Sequence, residues 1–92
     1  MVLLSPTEAI EKLGSLHDWH LEGDTIVRQF VFADFVVAMN FVNRVAEQAE
    51  KAAHHPDIDI RWNKVRLALS SHDAGGLTEL DFSLAAAIDA LP

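Results

Sequence analysis

Asp57-Ile58-Asp59-Ile60-Arg61-Trp62-Asn63-Lys64-Val65-Arg66-Leu67-Ala68-Leu69 is the stretch on which the fold turns. Apolar and polar residues alternate along it, the period of a half-buried strand. The phase changes midway. Ile58, Ile60 and Trp62 hold even positions, whereas Val65, Leu67 and Leu69 hold odd ones. An extra residue near Asn63-Lys64 exchanges the two faces, so the spacing predicts one strand with a bulge; two separate short strands are the alternative.

Before this stretch, Asp34 is placed to cap a long helix over residues 35–53. Phe35, Ala38, Met39, Val42, Ala46 and Ala49 mark its apolar stripe, widened by Val37, Phe41, Val45 and Ala52. Phe30, Phe35 and Phe41 are expected in the core. Pro56 follows the end of the helix and leaves His54 and His55 at a helix-to-strand junction. Beyond the stretch, Ser70 to Gly76 is polar and contains His72 and Asp73. Thr78-x-x-Asp81 then reads as a capping box for a terminal helix with Leu80, Leu84, Ala87, Ile88 and Leu91 on its apolar side.

Nearer the start, Thr25 to Phe32 reads as a strand, with Arg28 interrupting its apolar face. Glu22-Gly23-Asp24 forms the turn to a partner strand at Trp19-His20-Leu21. Ser5-Pro6-Thr7-Glu8 opens a first short helix whose apolar side is Ala9, Ile10 and Leu13. Helix, strands, helix, strand or strands, helix is the order of an α+β sheet with helices packed against it.

Ninety-two residues suit one domain over 1–92, small enough to gain from a partner subunit. The formal charge of −7 argues against direct nucleic-acid binding, which draws on clustered Lys and Arg. With no cysteine there are no disulfides or thiolate metal ligands. The apolar runs are too short to span a bilayer and the first residues do not read as a targeting segment, so the expected setting is cytoplasmic, away from membranes.

The chemistry is concentrated in His54, His55 and His72. Histidine exchanges protons near neutral pH, one ring nitrogen working while the other holds an orienting bond. Surface, capping or structural roles are the plain alternative. With Asp57, Asp59 and Asp73 nearby, zinc is a further option, but the spacing matches no compact zinc motif and no metal is expected. Asp81 can cap the last helix or orient His72. Trp19 and Trp62 can be core aromatics or the wall against which a flat substrate stacks.

Three segments together carry a family resemblance: Glu50-Lys51-Ala52-Ala53-His54-His55-Pro56, Trp62-Asn63-Lys64-Val65, and Ser70-Ser71-His72-Asp73-Ala74-Gly75-Gly76-Leu77-Thr78-Glu79-Leu80-Asp81. With Trp19, Phe30-x-Phe32-x-Asp34-Phe35 and Phe41-x-x-Arg44-Val45, the chain resembles the pterin-4a-carbinolamine dehydratases over nearly its whole length. The resemblance implies a four-stranded antiparallel sheet with three helices on one side, assembled as a homodimer or homotetramer. It implies loss of water from 4a-hydroxytetrahydropterin to give quinonoid dihydropterin, which recycles a tetrahydropterin without any cofactor.

In that reading His54 and His72 do the acid/base work and His55 binds or positions the pterin. Asp81 orients His72, Trp19 lies near the substrate mouth, and Glu50 and Trp62 adjoin the site. Trp62 stands where many relatives have tyrosine, and Ile58 where many have an aromatic residue; both departures bear on substrate contacts. Two other functions stay open: a protein-binding dimerisation module, and an enzyme acting on another pterin in molybdenum cofactor metabolism.

Overall fold

In the computed structural model, which describes residues 2–92, the stretch 57–69 is two strands rather than one bulged strand. β3 (Asp57–Arg61) and β4 (Lys64–Leu69) form a hairpin closed by Trp62-Asn63. Ile60 pairs with Val65 and Ile58 with Leu67, so even positions on one strand face odd positions on the other. A two-residue turn imposes that change of parity, and no bulge is needed. Trp62 holds φ +51° at the first turn position. The Asn63 side chain donates to the Phe32 carbonyl at 2.8 Å, and Phe32 N–H donates to the Asn63 carbonyl at 2.9 Å. These two bonds fix the turn to the preceding strand.

β1 (His20–Glu22) and β2 (Thr25–Val31) complete a four-stranded antiparallel sheet in the order β1-β2-β4-β3. The helices are α1 (Pro6–Leu13), α2 (Phe35–Ala52) and α3 (Glu79–Asp89), all on one side of the sheet. Ser5 and Glu8 form the reciprocal capping box of α1, and Asp34 accepts from Val37 N–H at the start of α2. Ile26, Val65, Leu67 and Leu69 are fully buried beneath the helices, each stabilising the fold by roughly 1.5–3 kcal/mol.

The buried row of α2 is Ala38, Phe41, Val45 and Ala49, spaced 3-4-4 and drawn from both expected apolar groups. Phe35 was expected in the core, but in the first turn of α2 it is 49% exposed. Ile10 on α1 is likewise exposed, and only Ala9 of that helix is fully covered. Phe30, Phe32 and Phe41 gather at one end of the sheet, with Phe30–Phe41 centroids 4.6 Å apart.

Candidate active site

His54 owes its position to the way α2 stops. Ala53 adopts the left-handed conformation (φ 51°, ψ 38°), its N–H bonds the Glu50 carbonyl, and His54 N–H reaches back to the Ala49 carbonyl at 3.1 Å. This is a Schellman ending with alanine where glycine is usual, at a cost of about 1 kcal/mol or more. The chain turns sharply there, Pro56 prevents the helix resuming, and β3 begins at Asp57.

Asp81, in the first turn of α3, is completely buried. Its Oδ2 accepts from Thr78 N–H at 2.9 Å, completing the capping box, and from the Ser71 hydroxyl at 2.8 Å. Its Oδ1 lies 2.5 Å from His54 Nε2. The same carboxylate therefore caps a helix and holds a histidine, two roles that the spacing had offered as alternatives. The histidine is His54 rather than the expected His72. The end of α2 brings His54 to the start of α3, whereas His72 stands exposed on a 3₁₀ turn (His72–Ala74).

An ionised Asp81 can only accept hydrogen bonds. His54 then carries a proton on Nε2, and in the neutral ring Nδ1 keeps the lone pair. The ring is largely enclosed, its side chain 12% exposed. His55, on the other side of the same junction, is exposed and meets Glu50 Oε2 through Nε2 at 2.5 Å.

His54, His55 and His72 converge on one open cleft of about 220 Å³, lined also by Ala53, Ser70, Ser71 and Asp73. Pockets that enclose drug-sized ligands run from roughly 300 Å³ upward, so this cleft suits a small flat molecule held against one wall. Among the described residues no group of three or more His, Cys, Asp or Glu is placed to hold a metal ion, and no helix is long and apolar enough to cross a membrane.

Four expected residues are absent from the cleft lining: Asp81 and Glu50 reach it only through His54 and His55, and Trp19 and Trp62 touch none of the three histidines. Trp19 is buried, packs edge-on against Phe30, and donates its indole N–H to Asp89 at 2.9 Å. Asp89 lies eight residues beyond Asp81 on α3, about 12 Å along the helix. Trp62 is 67% exposed in the β3–β4 turn, separated from the histidine junction by the five residues of β3, roughly 16 Å. Conversely, Ser71 and Thr78 support the site although the sequence did not single out their hydroxyls for that role. They are 2% and 1% exposed. The signal available was a serine directly before His72 and a threonine already marked as a cap.

The family model for Pterin 4 alpha carbinolamine dehydratase matches residues 2–91. A relative from Acidobacterium capsulatum is 62% identical over 91 residues, covering 99% of each chain. Another, from Chloroflexus aurantiacus, is 61% identical over 89 residues, covering 97% of this chain and 96% of its own. Among solved structures, a transcriptional coactivator/pterin dehydratase from Brucella melitensis superposes with a TM-score of 0.90 at 37% identity, covering 95% of both chains. A pterin dehydratase-like protein identified as a RuBisCO assembly factor in the alpha-carboxysome superposes with a TM-score of 0.68 at 25% identity, covering 80% of this chain and 88% of its own.

Proposed function

Because this chain belongs to the pterin-4a-carbinolamine dehydratase family, we propose that it removes water from a 4a-hydroxytetrahydropterin to give the quinonoid dihydropterin, in tetrahydropterin recycling. Dehydration of a pterin is the activity that family membership carries. The observation that carries the finer reading is the convergence of His54 and His72, from separate elements, on one cleft with a buried carboxylate behind His54.

Two protons must move. The bond from C4a to its hydroxyl oxygen breaks, and a proton delivered to that oxygen lets it leave as water. A ring nitrogen gives up a proton as its electron pair closes a C=N bond to C4a. No oxidant or reductant enters this balance.

In our reading His54 takes the ring proton through Nδ1, since Asp81 occupies Nε2. His72, exposed on its turn, delivers the other proton. His55, tethered by Glu50, positions the pterin. The reaction runs in a homodimer or homotetramer, a reading supported by the exposed Val31, Phe35 and Val36.

The test is turnover of freshly generated 4a-hydroxytetrahydropterin by the intact protein and by a folded His54→Ala/His72→Ala variant. Turnover by the intact protein that disappears in the variant is the expected result. A well-folded intact protein that leaves the spontaneous dehydration rate unchanged overturns the proposal.

A further inference from the structure

We propose that Ser71 is a positioning residue that holds the Asp81 carboxylate in the orientation selecting the His54 tautomer, and ties it to the turn carrying His72; the inference rests on the dehydratase reading above. Ser71 is the second residue beyond β4 and is 2% exposed. Its hydroxyl is 2.8 Å from Asp81 Oδ2 and 2.8 Å from Thr78 Oγ1. Thr78 Oγ1 in turn accepts from Leu80 N–H at 3.3 Å.

A hydroxyl has one proton to donate, and an ionised carboxylate has none. The directions then follow. Ser71 donates to Asp81, Thr78 donates to Ser71, and the first turn of α3 donates to Thr78. The chain delivers its hydrogen bonds to Oδ2 and leaves Oδ1 to accept from His54 Nε2. Reversing the His54 tautomer would set two lone pairs against each other at 2.5 Å.

The Ser71 backbone serves the other histidine. Its carbonyl accepts from Ala74 N–H and Gly75 N–H, each at 3.0 Å, and its N–H donates to the Gly76 carbonyl at 2.8 Å. These bonds close the 3₁₀ turn on which His72 stands. One residue thus holds the support of His54 through its side chain and the support of His72 through its main chain.

The experiment compares Ser71→Ala, Ser71→Cys and Ser71→Thr with the intact protein by steady-state kinetics and by nitrogen-15 NMR of the histidine rings without substrate. For Ser71→Ala, kcat falls about tenfold with little change in KM, because the lost bond goes to a charged group. Its His54 signals move from the pure Nε2–H pattern toward a mixture of tautomers. Ser71→Thr keeps the hydroxyl and retains most of kcat and the single tautomer. Ser71→Cys, a near-isosteric change with a weaker donor, falls between them and supplies the answer should Ser71→Ala not fold. Wild-type kcat and an unchanged His54 spectrum in folded Ser71→Cys or Ser71→Ala overturn the proposal, as does an equal loss in Ser71→Thr. Absence of turnover by the intact protein is a different outcome: it removes the dehydratase reading, while the ring spectra still report on the tautomer.

Discussion

Helix α3 carries a carboxylate near each end, and each receives the ring N–H of an aromatic heterocycle. Asp81 in the first turn takes His54, and Asp89, the last residue, takes Trp19. The two ends differ in everything else. Asp81 is surrounded by neutral donors, Ser71 and Thr78, and lies where the helix dipole favours negative charge. Asp89 sits at the unfavourable end and is offset by Arg28, whose Nη1 donates to it at 2.7 Å. Arg28 also lies 4.3 Å from the centre of the Phe30 ring. An indole N–H only donates, whereas an imidazole exchanges its proton. The same contact therefore makes a clasp at one end and, in the proposed mechanism, a working group at the other.

The comparison is tested most severely at Asp81. Asp81→Asn should lower kcat about 100-fold or more, since an amide nitrogen turned toward either His54 or Ser71 sets donor against donor. The fold should lose about 1–3 kcal/mol as well, so kcat is to be read per folded molecule from thermal melts and steady-state kinetics together. Kinetics that match the intact protein would mean that His54 needs no carboxylate.

At the other end the expectation reverses. Asp89→Asn leaves Arg28 only the exposed Asp18 carboxylate, 3.7 Å away, and should lower stability by about 1–2 kcal/mol in chemical denaturation. Its kcat should stay within about twofold, because Asp89 is too far from the cleft to couple to it. A large loss of kcat would join the two ends into one site and return Trp19 to the substrate.

Why the sequence showed one end better than the other follows from particular residues. The helix starts were legible because capping is local: Ser5 with Glu8, Asp34 with Val37 and Thr78 with Asp81 all act within three residues. The convergence of His54, His55 and His72 was legible only through the family resemblance. Their supports were not. The bond of Asp81 to His54 spans 27 residues, and that of Trp19 to Asp89 spans 70. Nothing in a local pattern distinguishes His54 from the nearer His72 as the partner of Asp81. The hairpin was hidden for another reason: its turn is Trp62-Asn63, without the glycine that normally announces one, and a bulge changes the strand phase in the same way.

Trp62 sharpens the contrast at smaller scale. Its left-handed backbone at φ +51° suits glycine, and its exposed ring contributes little burial. Trp62→Gly should raise stability by about 0.5 kcal/mol, the relief of strain outweighing the added freedom of the unfolded chain. Its kcat and KM should be unchanged. A rise in KM for the pterin would instead place this turn in the substrate's reach, for example across a subunit boundary.

The smallest effect is expected where a third carboxylate meets an imidazole with no burial. Glu22 Oε2 lies 2.7 Å from His20 Nε2 on the exposed edge strand β1. The hydrogen bond from His20, reinforced by the charge of Arg66, holds the Glu22 carboxyl below its ordinary value near 4.5. A carboxyl with a depressed value in the folded state contributes stability above its unfolded value and loses it as pH falls through the folded one. Melting temperatures of the intact protein and His20→Gln should therefore differ slightly above about pH 4.5 and converge as the solution is acidified below it. Kinetics of the two proteins should coincide. If the difference instead grew on acidification, or kcat fell, contact with a carboxylate alone would be enough to make a histidine matter here, and the burial of Asp81 would lose its explanatory weight.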